Sequence, residues 1–227
     1  MVKVTADWNP MQSKLRELIQ SKDNFGEMKE LLFQMHALVH SSAVYQGKET
    51  TYMDEIWEGL DDMAFKKMPT VKDDTIAWNI WHITRIEDLT VNLLITKGNQ
   101  VLDEEWHKRL GTAVKDTGNA MTDEEIIELS QTIHRESLYE YRNAVGQKTR
   151  QMIQDLRQED LKRKVEKEGL NRILNEGGVT THPDSIWLLD FWGRKNVAGI
   201  ILMPVTRHQV VHINDCLRLK NICKKSE

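Results

Sequence analysis

The stretch Thr75-Ile-Ala-Trp-Asn-Ile-Trp-His-Ile-Thr-Arg-Ile-Glu-Asp88 decides the fold. Its apolar residues recur every three or four positions, which is the period of a helix and not of a strand. Steps of about 100° per residue put His82 among Ile86, Leu89 and Leu93, in the centre of the inward face. The helix is expected from about Asp74 to Thr96, with Asp73 and Asp74 supplying negative charge to its N-terminus. A second helix, opening at Pro204 and running to about Cys223, carries His208 and His212 in line with Val205, Cys216 and Leu219. Arg207, Asn214, Arg218 and Asn221 take its opposite face. Residues at i and i+4 lie about 5–6 Å apart, so both imidazoles reach one point, and His82 would close a three-histidine site.

The same period extends outward. Pro10 to Lys22 reads as a short helix with proline in its first turn, followed by a core helix from about Asn24 to Ser42. The apolar face of that core helix is Met28, Leu31, Leu32, Met35, Leu38 and Val39. A short helical piece covers Met53 to Leu60. Thr122 with Glu125 forms a capping box, and the stripe that follows reaches Leu156, too long for one helix, so a break is expected near Ser130. Ser185 to Trp192 reads as a short Trp-rich helix. With four prolines, 12 glycines and almost no strand-like alternation, the expectation is an all-α four-helix bundle with short helices in its connections. No linker divides the 227 residues, so one domain is expected over 1–227, with its core at about 25–223.

Composition narrows the function. Hydrophobic residues at 40% and charged residues at 29% suit a globular chain rather than a disordered one. A net charge of −4 gives no general attraction to nucleic acid or anionic lipid. The cluster Lys220, Lys224 and Lys225 ends the last helix, where cations favour its dipole. The longest uncharged apolar run, Val197 to Val205, falls well short of the roughly 20 residues that span a bilayer. The first residues, with Asp7, Asn9 and Pro10, form no signal-like apolar segment, so a cytoplasmic protein is expected. Cys216 and Cys223 stand about 10 Å apart along one helix and read as packing residues. No glycine-rich phosphate loop, Ser/His/Asp pattern or Cys-x-x-Cys pair is present.

Each of the three stripe histidines, taken alone, reads as a core residue satisfied by a hydrogen bond. Together they read differently. Three imidazoles with unmet polar atoms would cost about 1–3 kcal/mol each, whereas one divalent ion satisfies a nitrogen on all three. His36 and His40 repeat the i, i+4 spacing but fall on the flank of their helix's stripe, which leaves His40 as an outer-sphere candidate. His134 lies on its stripe as a candidate pocket residue, and Trp78, one turn before His82, as a pocket wall. Asp215 is either a flank carboxylate or the acceptor for a ligand imidazole's second N–H. His107 and His182 read as surface residues.

Thr75 to Asp88, followed by Pro204-Val-Thr-Arg-His-Gln-Val-Val-His212, resembles the DinB/YfiT-like superfamily. Its pattern is one histidine on the second bundle helix and a His-x-x-x-His pair on the fourth. The resemblance implies His82, His208 and His212 as ligands of a divalent ion, often nickel or zinc, in a bundle of unusual connectivity that frequently dimerises. Characterised relatives include transferases and isomerases that use low-molecular-weight thiols such as bacillithiol or mycothiol, and many members have no assigned activity. The separation 208 − 82 = 126 residues is longer than in compact members, so insertions are expected to shape the pocket. The expectation is a metal-dependent transferase or hydrolase acting on a small electrophile, with a small thiol as partner and a homodimer as the assembly. The alternative is a non-catalytic, stress-related metal-binding interaction protein. Three neutral ligands that leave a coordination position open favour the enzyme.

Overall fold

Every residue from Ile76 to Asp88 is buried, which puts this helix at the centre of the molecule. The computed structural model describes residues 4–224, and no β-strand occurs among them. The helices are α1 (Val4–Gln20), α2 (Phe25–Val39), α3 (Ser42–Tyr45), α4 (Tyr52–Trp57), α5 (Asp62–Lys66), α6 (Ile76–Asp88), α7 (Glu104–Leu110), α8 (Asp123–Thr132), α9 (Arg135–Asp155), α10 (Lys167–Asn175), α11 (Pro183–Gly193), α12 (Val197–Ile200) and α13 (His208–Lys224). A π-helical segment, Leu89–Ile95, continues α6, and another, Ile201–Arg207, leads into α13. None of the described helices is long and apolar enough to cross a membrane.

Helix α6 packs on α9 and α13, α2 packs on α9 and α13, and α1 covers α2 and α13. Trp8, Met35, Trp81, Tyr141 and Ile213, from five helices, join one apolar cluster. Each fully buried apolar side chain in this cluster contributes about 1.5–3 kcal/mol. The polar residues of α6 are tied down individually. Thr75, rather than Asp73 or Asp74, caps the helix by accepting from the Trp78 backbone N–H at 2.9 Å. Asp88 accepts from Arg85, from the Tyr141 hydroxyl and from the backbone N–H groups of Val101 and Leu102.

Three boundaries and the role of one lysine differ from expectation. Pro10 lies inside α1, and Pro204 lies inside the π-helical segment instead of opening the last helix. There the Gln209 side chain donates to the Pro204 carbonyl at 2.9 Å, in a stretch whose wider winding accommodates the proline ring. The break expected near Ser130 falls at Ile133 and His134. Ser130 turns its hydroxyl back to the Ile126 carbonyl, while the His134 N–H leaves the helix for the Leu110 carbonyl. Lys220, read as a cation for its own helix end, is buried and donates to the carbonyls of Glu55 and Glu58 at the end of α4. Lys224 ends α13, and Lys225 lies outside the described residues.

Candidate metal centre

His82 and the pair His208 and His212 come from helices α6 and α13, which pack directly on each other. One nitrogen from each of the three lies within 4.8 Å of the others. The ring of His82 is buried, while His208 and His212 are half-buried at the margin of the buried face of α13. His82 Nδ1 donates to the Thr117 carbonyl at 2.7 Å, which leaves Nε2 with its lone pair directed inward. His212 Nδ1 donates to Asn79 Oδ1 at 2.7 Å, and Asn79 is fixed in that orientation by donating its side-chain N–H to the Thr75 carbonyl at 2.8 Å. His82 Nε2 lies 3.2 Å from His208 Nε2. Two nitrogens bound about 2.0–2.1 Å from one tetrahedral ion stand about 3.3 Å apart, close to that spacing. His208 Nδ1 is buried without a hydrogen-bond partner.

Burial sets the protonation of the group. It pulls His82 down to about 4 against the weaker upward pull of the Thr117 bond, and pulls His212 down to about 3 with the help of His82. His208 is held well below its ordinary value by burial and by its two neighbours. All three are therefore neutral near pH 7, the form in which imidazole binds a metal. No fourth His, Cys, Asp or Glu among the described residues joins the group. The residues thus fit a three-coordinate protein site with one position open.

The clamp on His82 comes from the connection between α7 and α8. Four successive carbonyls accept from four side chains of α6: Lys115 from Arg85 at 2.9 Å, Asp116 from Trp81 at 3.0 Å, Thr117 from His82, and Gly118 from Trp78 at 3.2 Å. Trp78 also stacks on His82, with ring centroids 4.7 Å apart and planes 9° from parallel. It meets His212 edge-on at 5.9 Å.

The other candidates lie elsewhere. Asp215 bonds none of the histidines; its carboxylate stands 3.7 Å from Arg218, and Asn79 and Thr117 take the acceptor positions instead. His134 is exposed at the start of α9 and bonds the Arg109 carbonyl, because the chain leaves helical geometry just before it. His36 and His40, placed by the sequence on a flank, are fully buried because α9 packs over that flank. His40 bonds Glu87 and stacks on His36.

Neutral imidazoles converging from two packed helices define a class, the all-helical proteins built around a three-histidine centre. Residues 48–213 match the DinB superfamily, and the chain belongs to that family. Its fold is similar to the crystal structure of a conserved protein from Enterococcus faecalis, with a TM-score of 0.55 over 87% of this chain and 95% of that one. The two share 15% sequence identity, so the likeness concerns the fold alone. No curated protein matches the chain.

Proposed function

We propose that His82, His208 and His212 hold a divalent ion, nickel or zinc, and that the protein is a metal-dependent enzyme acting on a small electrophile. The observation that carries this reading is the orientation of the rings. Thr117 and Asn79 each occupy an Nδ1–H, so the remaining nitrogens converge while no fourth protein ligand closes the site. Such an ion supplies a Lewis acid able to lower the pKa of a thiol or water. Three neutral donors leave its charge uncompensated and favour an anionic partner, which makes a low-molecular-weight thiol the leading co-substrate and water the near variant. The half-buried His208 and His212 leave the approach on the α13 side. Trp78 holds the His82 ring plane and supplies an apolar wall.

The second reading, a metal-binding interaction protein without catalysis, draws on one observation. A cavity of about 600 Å³ is walled in part by Asp116, Met121 and Thr180 but by none of the three histidines. Cobalt-substituted protein separates the two readings. A sulfur-to-metal charge-transfer band on adding a small thiol, lost in His208→Ala, is the result expected of the enzyme. A spectrum unmoved by every thiol and small anion favours the scaffold.

A further inference from the structure

A second group of ligand-type side chains lies on another face of α6. Glu87 is five residues beyond His82, about 140° around the helix, and points at α2 instead of α13. His36 lies on the last turn of α2 and His40 immediately follows its end, with their rings stacked, centroids 4.2 Å apart. Glu87 Oε1 lies 3.1 Å from His40 Nε2 and 3.8 Å from His36 Nε2. One atom of each residue falls within 4.8 Å of the others, and all three side chains are completely buried.

What sets this group apart from an ordinary buried ion pair is the number of polar atoms it leaves unpaired. Both ring nitrogens of His36, Nδ1 of His40 and Oε2 of Glu87 have no hydrogen-bond partner. Arg142 Nε and Thr149 Oγ1 are unpaired as well, on the face of α9 that carries Gly146 and meets His40. Each such atom costs about 1–3 kcal/mol, and native interiors hold few of them. Gly146 shows that space is kept for the His40 ring, since a Cβ there would lie 2.4 Å from Nδ1. A mid-helix glycine costs about 1 kcal/mol relative to alanine, a loss the close approach of the ring explains.

We infer that His36, His40 and Glu87 form a second binding site, independent of the three-histidine centre, for a first-row divalent transition-metal ion. Two imidazoles and one carboxylate are a donor set for zinc and its neighbours, whereas calcium and magnesium take oxygen. Arg142 stands 3.8 Å from Glu87 Oε2 and offsets its charge, which further disfavours a hard cation held by charge alone. The arrangement leaves Oε1 to the histidines. Burial pulls His36 and His40 down, while the charge and hydrogen bond of His40 and the Arg142 guanidinium outweigh the effect of burial on Glu87 and hold it down. On binding, the His40 proton moves from Nε2 to Nδ1, so the ring stays neutral and no proton is lost. Enclosed on all sides, the ion ties α2 to α6.

Zinc content of full-length protein, expressed in zinc-supplemented medium and dialysed, tests the assignment. Wild type is expected to hold two ions per chain, His208→Ala/His212→Ala one, and that variant with Glu87→Gln added none. Loss of all zinc in His208→Ala/His212→Ala overturns the proposal. So does an ion that survives the further change. A wild type holding one ion, kept without His208 and His212 but lost in Glu87→Gln, would remove the three-histidine reading and leave this one standing. A second measurement needs no change in the buried cluster: zinc added to chelator-treated His208→Ala/His212→Ala raises its melting temperature. An unchanged melt overturns the proposal.

Discussion

At His82 one ring nitrogen is spent on the Thr117 carbonyl so that the other is available, and the same division recurs at His212 with Asn79. Asn79→Ala removes the acceptor, and zinc affinity is expected to fall about 10–100-fold with the helical spectrum intact. Equilibrium titration against a competing chelator reads this directly, and an unchanged Kd rejects the role. The depressed histidine values give a second prediction, for metal-free protein. His82 at about 4 in the folded state takes up its proton at lower pH than in the unfolded chain, where the value is 6.5. Stability present above pH 6.5 is thus lost as the pH falls toward 4, on the order of 3 kcal/mol from this ring. Melts at pH 7, 6 and 5 should fall in steps that His82→Gln makes shallower, and identical pH profiles for the two proteins contradict the assignment. Helical period puts His82 on a packed stripe and aligns His208 with His212, which fall at the margin of the buried face of their helix. Asn79 left a fainter mark, a poor helix former one turn from His82. Thr117 left none, since a backbone carbonyl in an aperiodic connection has no signature in sequence.

Among the elements, the segment from Lys115 to Gly118 does the positioning. Gly118 adopts a φ of +76°, and a Cβ there would lie 2.7 Å from Trp78 Nε1. Gly118→Ala is expected to cost about 1–3 kcal/mol and to weaken metal binding together with stability. Denaturant unfolding with and without zinc checks both, and a neutral substitution means that the carbonyl clamp does not hold His82. The capping box Thr122 to Glu125 and the core helices were readable from pattern, because caps and stripes depend on neighbours in sequence. The π-helical run before His208 was not, because Pro204 fits a helix start equally well until the Gln209 side chain is seen to satisfy its carbonyl. The burial of His36 and His40 was likewise out of reach, since it depends on where α9 lies.

For the molecule as a whole, one apolar cluster runs through α1, α2, α6, α9 and α13, so the fold is expected to form without a metal. Metal-free protein is expected to keep its helical circular dichroism and to melt cooperatively. Zinc at a hundredfold excess over Kd adds about 2.7 kcal/mol at each site, on the order of 5–10 °C for a chain of this size. Collapse of the helical signal on chelation would show that the ion, and not the apolar core, organises the bundle. Joint binding of a metal by His82, His208 and His212 follows from the geometry of three rings, and elemental analysis reads it. Relative to wild type purified alongside, His208→Ala and His212→Ala should each lose one ion per chain while retaining the wild-type circular dichroism. Metal content equal to wild type in both folded variants would mean that these histidines do not hold the ion.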